Sequence, residues 1–450
     1  MSEFLTIQVG QCGNQIGHAF WPMILQEHGM YDSNRTWRRN QDEALHSFFY
    51  NPKNVDCHTI EQMVSNKVKA RALLIDMENS VVERFHNSRL RDIFDRACTL
   101  FNYPGSGNNW AVGHFTHGNE QKSTIRNMIR ASVEKCDRLH GFISLFSLGG
   151  GTGSGLGSAV QQMLYDDYTK VDRIVSCVHP GENNDVVTSP YNIAFSLKCL
   201  KEYTTCVLPI DNKALLDICN RIMVTKDMAT WEPYRNMNNI IVKMLLHFTS
   251  GARFPGPLNF DISDLSTNLV PFPGLHFLAS SLSPIMFSKE KDVGVIKRQN
   301  DLVLGICGKD NQLLSINATK GTVFSAALFG RGDISLSCMR NYVKKFEENV
   351  KFTSWSYPGV KTSLCTVPTH NCSKSLLCLT NTTEMMHFFQ KTKEDFDRLL
   401  NKKAHIHHYT RVDGFDRSEF SNTRECLSEI IDCYLANNRE ITIPRFYVAL

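Results

Sequence analysis

The feature that most constrains this chain is the stretch SLGGGTGSGLGS, residues 147–158, half of whose positions are glycine. It follows a short β-rich apolar run, GFISLFSL (141–148), and precedes a helical pattern, LGSAVQQMLYDDY (156–168), in which Leu156, Val160 and Leu164 recur four apart. A strand, a glycine-rich turn and a helix in that order is how α/β proteins hold phosphate. Glycine lets backbone approach the anion closely, and the helix N-terminus aims free N–H groups at it. Thr152 and Ser154 add hydroxyl donors. The stretch has no lysine, so it is not a GxxxxGK[ST] loop. Nor is it a G-x-G-x-x-G fingerprint. Counted from Gly149, Gly151 or Gly153, the third glycine position is Ser154, Leu156 or Ser158, and from Gly150 the pattern already fails at Thr152. It is a third kind of loop, or a plain turn.

Two further loops favour a ligand. VGQCGNQIG (9–17) also follows a strand and opens a helix, and GSGNNWAVGH (105–114) is a third glycine- and amide-rich turn. The runs 4–9, 71–77, 141–148, 173–179 and 204–210 are short, apolar and each followed by a turn and a helical pattern. That alternation predicts a parallel sheet with helices on both faces, and such sheets bind ligands at the carboxyl edge of their strands. In 234–254, Met237, Ile240, Ile241, Met244, Leu245 and Phe248 form one stripe of period 3.6, which predicts a long helix with Gly251 as its left-handed stop. Residues 255–385 are mixed, with strands at TVFSAALFG (322–330) and KTSLCTVP (361–368). Two helices follow, one carrying Phe389, Phe396, Leu399 and Leu400. The other carries Phe420, Leu427, Ile430, Ile431 and Tyr434, with Asp416 as N-cap and Glu419 three on.

With 450 residues the chain needs two or three domains, and 42% hydrophobic against 21% charged residues fits a soluble globular protein. No apolar run approaches the ~18–20 residues of a bilayer span, and the N-terminal MSEFLTIQVGQCG lacks a signal-peptide pattern. A net charge of +4 argues against nucleic-acid binding driven by charge. Fifteen cysteines, an odd number without a CxxC pair, fit reduced cytosolic thiols. The sequons at Asn34, Asn317, Asn371 and Asn381 carry little weight there, and Arg331-Gly332-Asp333 reads as a turn rather than an adhesion signal.

GQCGNQIG, GSGNNWAVGH and LGGGTGSGLGS resemble, in order and spacing, the nucleotide loops of tubulins. SPYN (189–192), PIDNKALLDIC (209–219), ARFPGPLN (252–259), NLVPFPGLHF (268–277) and FGRGD (329–333) extend the resemblance over nearly the whole chain. Within the family PGSGNNWAVGH, DVVTSPYN, KTSLCTVP and KKAHIHHY are most similar to the epsilon subfamily. The resemblance implies the α/β tubulin/FtsZ-like fold. It has a parallel-sheet GTP-binding domain over 1–213, a long core helix and α+β intermediate domain over 214–385, and a C-terminal helical hairpin domain over 386–450.

It also implies GTP or GDP as ligand. Gly149, Gly150, Gly151, Thr152, Gly153, Ser154 and Gly155 would cradle the phosphates, with Asn108 adding an amide. Gln11 and Cys12 would sit beside the diphosphate and Gln15 near the base. Asp185 falls on the ribose side, Asn212 and Asn238 read the guanine edge, and Tyr234 stacks on the base. Asp76 and Glu78 match the acidic pair that approaches Mg²⁺, mostly through water. Taken singly, each of these has a structural reading as a cap, turn or core residue. Ser189 stands where α- and β-tubulin carry a glutamate that touches ribose. In the family the catalytic acid acts on the nucleotide of the next subunit in a filament. The matching residue here is Asp264, one methylene shorter than glutamate, and it and Asp261 read equally as helix caps.

The tail after Leu435 has Arg439 and Arg445 against Glu440 and so lacks the family's acidic brush, and IPRFYVAL is apolar enough to pack. The histidines of HIHHY (405–409) fit a surface or interface feature better than a metal site. The expected setting is the cytoplasm and cytoskeleton, at centrosomes, centrioles or basal bodies. There the chain would support doublet and triplet microtubules, with other tubulins (delta-tubulin among them) and centriolar proteins as partners, and neither nucleic acid nor membrane. A filament-forming GTPase is the alternative.

Overall fold

The computed structural model describes residues 2–30, 44–181, 185–226, 232–254, 256–286, 300–356, 359–369 and 372–436. The segment 443–450 and the sequons at Asn34 and Asn371, read above, lie outside the described residues.

The first half alternates as its apolar runs predict. In order come β1 (Glu3–Val9), α1 (Gly10–Glu27), β2 (Ala72–Asp76), α2 (Asn79–His86), β3 (Thr99–Phe101), α3 (Lys122–Val133) and β4 (Leu139–Ser147). Next are α4 (Gly157–Asp167), β5 (Asp172–His179), α5 (Ser189–Tyr203), β6 (Cys206–Asp211) and α6 (Asn212–Lys226). Among the described residues these strands form one sheet in the order β3-β2-β1-β4-β5-β6, every pair parallel. A strand covered on both faces needs apolar side chains pointing both ways, not on alternate positions alone. Leu73 and Ile75 therefore face one core with Phe142 and Phe146, while Leu74 faces the other with Ile143 and Leu145.

The helical stripe read at 237–248 is buried throughout, on α7 (Pro233–Phe248), which packs with α1 on the Leu74 side of the sheet. Pro233 suits the first turn, where its missing N–H costs nothing. Gly251 does not stop this helix in a left-handed conformation: α7 ends at Thr249 with φ −87, and Gly251 lies within a separate short helix, Ser250–Arg253. Gly251 is needed there for space, since a Cβ would come 2.9 Å from Ser363 Oγ and 3.1 Å from Phe260 N.

The later chain adds α8 (Ser263–Leu269), β7 (Ala279–Ser283), β8 (Thr322–Gly332), α9 (Leu336–Asn349), β9 (Lys351–Phe352), β10 (Val360–Cys365) and β11 (Lys374–Thr382). They form a mixed sheet in the order β9-β8-β11-β7, with β10 also on β8. The helices α10 (Met385–Asn401) and α11 (Ser418–Ala436) pack on the Leu73 side of the first sheet through Phe389, Phe396, Phe420 and Tyr434. Asp416 caps α11 as its sequence suggests, its carboxylate accepting from Ser418 N at 3.1 Å.

The FGRGD motif is structural. Arg331 is fully buried, and its guanidinium donates to Glu27 Oε1 at 2.7 Å. Arg253, also fully buried, donates to Glu27 Oε2 at 2.7 Å. One carboxylate thus ties α1, the Ser250–Arg253 turn and β8. Burial pushes Glu27 up, but the two guanidiniums outweigh it and hold it below the ordinary carboxylate range.

Candidate functional site

The strand order reverses between β1 and β4, and in such sheets the crevice at the reversal is where ligands sit. The loop after β1 and the glycine loop after β4 flank it. They touch backbone to backbone: Gly10 has φ +71, and a Cβ on it would lie 2.9 Å from Gly153 N. The third loop closes on the same turn. A Cβ on Gly155 would lie 2.2 Å from Trp110 O, and one on Gly113 would lie 2.4 Å from Gly151 O. Ser106 Oγ and Thr152 Oγ1 are 3.0 Å apart.

A cleft of about 1010 Å³ opens at this point, lined by Gln11, Cys12, Gln15, Gly149, Gly150, Asn212, Tyr234 and Asn238 among others. Gln11 and Gln15 present one face of α1, and Tyr234 and Asn238 one turn of α7 across from it. Tyr234 is 69% exposed, an aromatic at the cleft wall available for stacking. Burial pushes the Cys12 thiol up to about 12, so it stays neutral and adds no negative charge to the cleft wall.

The other expected residues are placed differently. Gly151, Thr152, Gly153, Ser154 and Gly155 continue from the cleft into the packed turn beneath it. The hydroxyls expected as phosphate donors are used internally, because Ser154 is fully buried with Oγ donating to Gly150 O, and Thr152 pairs with Ser106. Asn108, at φ +52, is exposed on the third loop, its Oδ1 3.9 Å from where a Gly150 Cβ would be. Asp185 is exposed beside Val186, which lines the cleft although Asp185 does not. Ser189 is buried under the loop, its Oγ 2.8 Å from where a Gly149 Cβ would be, and does not line the cleft.

Sequence reading missed His18, Pro22, Val81, Arg84 and Arg235 as cleft residues. The signal for two of them was present, since positions 11, 15, 18 and 22 continue one helical face. Burial and the charge of Arg84 lower the His18 pKa.

Asp76 ends β2 next to the third loop. Its Oδ1 accepts from Met77 N at 2.8 Å, and its buried Oδ2 has no hydrogen-bond partner among the described residues. Burial, and to a lesser extent Glu78, push its pKa up to about 7. Glu78 is exposed, its Oε1 3.0 Å from where a Gly105 Cβ would be. An orphaned carboxylate oxygen with a second carboxylate two residues on is a hard-oxygen donor set that fits Mg²⁺ and its waters.

Asp264 lies at the opposite edge of the sheet. Its neighbour Asp261 pairs with His140 at 3.5 Å, and His140 sits at the start of β4, whose far end carries the glycine loop. At ~3.3 Å per residue the strand separates the two by a distance that no side chain spans. Neither aspartate caps α8 as read: Ile262 holds the cap position without a side-chain cap bond, Asp261 Oδ1 accepts from the adjacent Ile262 N at 2.7 Å, and Asp264, in the first turn, meets Lys361 Nζ at 3.3 Å. In HIHHY the rings of His407 and His408 lie 4.1 Å apart, and among the described residues no group of three or more His, Cys, Asp or Glu is arranged to hold a metal.

Two family models match the chain: the Tubulin/FtsZ family GTPase domain over residues 3–220 and the Tubulin C-terminal domain over 273–394. The chain is 39% identical to the tubulin epsilon chain of Mus musculus over 484 residues, with 100% of both chains covered. It is 40% identical to that of Homo sapiens over 463 residues, 96% of each. It is also 32% identical to the nucleomorph tubulin beta chain of Guillardia theta, with 96% of each covered.

Proposed function

The chain belongs to the tubulin family, and on that premise we propose that it holds GTP in the β1/β4 cleft as a structural subunit of centrioles or basal bodies, supporting doublet and triplet microtubules. The observation that carries the binding claim is the meeting of two glycine loops, an exposed tyrosine and two asparagines on one cleft at the sheet's reversal point, with the third loop packed against the turn behind it. Backbone N–H groups of Gly149 and Gly150 face the phosphates, and the Asn108 amide adds a donor beside them. Gln11 and Cys12 flank the diphosphate, and Gln15 lies toward the base. Asn212 and Asn238 read the guanine edge, Tyr234 stacks on the ring, and Asp185 borders the sugar. Asp76 and Glu78 hold Mg²⁺, largely through water. When bound, the ion offsets phosphate charge. The partners are other tubulins, in end-to-end and side-by-side contact, delta-tubulin and centriolar proteins, in the cytoskeleton at the centrosome.

The second reading is a polymerising GTPase, favoured by one observation: the acid and the glycine loop lie on opposite edges of the sheet. Head-to-tail stacking brings the Asp264 edge of one subunit onto the cleft edge of the next, and such an interface extends into a filament. There Asp264 would act as a base on water. Lys361 competes for that carboxylate and must be displaced for the role.

The test follows the nucleotide in purified protein before and after incubation with partner tubulin. GDP that accumulates in the native chain but not in Asp264→Ala supports turnover, and retained GTP supports the structural role. A chain purified without guanine nucleotide overturns the binding claim.

A further inference from the structure

One buried side chain outside the cleft binds three segments around the phosphate loop. Asn192, on α5, is fully buried. Its Nδ2 donates to Gly149 O and to Asn108 O, each at 2.9 Å. Its Oδ1 accepts from Trp110 N at 2.9 Å and from Tyr409 Oη at 2.7 Å. Two donors and two acceptors are the full capacity of an amide. The pattern also fixes which end is nitrogen, since both carbonyls lie on one side and both donors on the other.

The consequences reach the cleft. Gly149 is a cleft residue. The Asn108 carbonyl takes a second bond, from Thr188 Oγ1 at 3.0 Å, and these two bonds hold a non-glycine residue at φ +52. An asparagine tolerates that region at some cost and stays there when the surroundings hold it. Tyr409 is the last residue of HIHHY. It is fully buried, while Asn109 Nδ2 donates to His408 O at 2.8 Å. The chemistry in that motif is therefore carried by its tyrosine, which reaches from the C-terminal helices into the scaffold of the phosphate site.

We infer that Asn192 is a positioning residue for the polyphosphate, setting Gly149 and Asn108 together, and that the Tyr409 hydroxyl sets Asn192. This rests on the reading of the cleft as a guanine-nucleotide site. Because binding linkage is reciprocal, a partner that shifts the 405–409 segment changes polyphosphate affinity, and polyphosphate changes the affinity of that partner.

The test compares GTP, GDP and GMP affinities by calorimetry in the full chain. Asn192→Ala leaves buried backbone groups unpaired and risks the fold, so the decisive variant is Tyr409→Phe, which keeps the ring and removes one hydroxyl. GTP and GDP affinity should fall about 5-fold, the scale of one buried hydrogen bond, with GMP affinity unchanged. Equal losses for all three nucleotides, or no loss for any, overturn the inference. Either failure is distinct from failure of the site itself, which appears as a native chain that binds none of them.

Discussion

Tyr234 and Asp76 give the sharpest residue-level tests. Tyr234 is largely exposed, so replacing it leaves the core intact. Tyr234→Ala should weaken guanine-nucleotide binding by about 1–3 kcal/mol, the scale of base stacking, with the melting temperature of the nucleotide-free chain unchanged. Calorimetric titration reads both. Burial pushes the Asp76 carboxyl from its ordinary 3.8 up to about 7 in the fold. A carboxyl raised in the fold contributes stability that is full below its unfolded value and lost as pH rises through the folded one. Nucleotide-free protein should therefore lose stability between about pH 4 and 7 from this group. Mg²⁺ bound with nucleotide needs the charged form, so its affinity should rise over pH 6–8, and Asp76→Asn should flatten that rise. Titration of Mg²⁺ at fixed nucleotide across that range checks the sign. At this scale the sequence was partly legible. Gln11, Gln15, Asn212, Tyr234 and Asn238 do meet in one cleft, because each lies in the first two turns of a helix packed against the sheet. Ser154 and Ser189 face away from it, because a short hydroxyl side chain turns to whichever carbonyl or void lies nearest, and sequence does not record which.

At the element scale the glycines divide by what surrounds them. Gly155 lies where α4's lead-in turn crosses the third loop, and a Cβ would meet Trp110 O at 2.2 Å. Gly150 faces the cleft, where a Cβ would meet nothing closer than 3.9 Å. Gly155→Ala should destabilise the fold by about 1–3 kcal/mol, the cost of overpacking. Gly150→Ala should leave thermal stability unchanged and weaken GTP binding, because the methyl takes space the phosphates need. Equal effects of the two on stability, by thermal denaturation, would contradict this division. Apolar runs announced β1, β2, β4, β5 and β6 within a few residues because a parallel strand buried on both faces is apolar at most of its positions. The edge strand β3 and the strand β11 at KSLLCLTNT were not read, since β3 has three residues and β11 ends in polar Thr380, Asn381 and Thr382. Those polar residues are buried, and Asn381 Nδ2 donates to Leu269 O at 2.9 Å, a long-range pairing no local pattern reveals.

For the whole molecule, Glu27 joins segments more than 200 residues apart in sequence. Glu27→Gln leaves two buried guanidiniums without their counter-charge, which should cost about 3–5 kcal/mol of stability by denaturant unfolding. Burial, with the charges of Arg253 and Arg331 respectively, drives His28 and His247 down to about 3. A histidine lowered in the fold takes up its proton first in the unfolded chain. Stability is therefore lost as pH falls from about 6.5 toward 3, and His28→Phe should blunt that loss. The same scale holds the functional claim: cleft and acid occupy opposite edges of one sheet, so the proposed GTPase reading requires a second subunit to bring them together. Resemblance supplied that division of labour, and the length of β4 supplies its physical reason. The most direct test is to denature the purified full-length chain and identify the nucleotide it releases. Guanine-nucleotide binding in the cleft predicts close to one guanine nucleotide per chain, lost in Gly150→Ala at unchanged stability. A chain that releases none, or releases an adenine nucleotide, contradicts it.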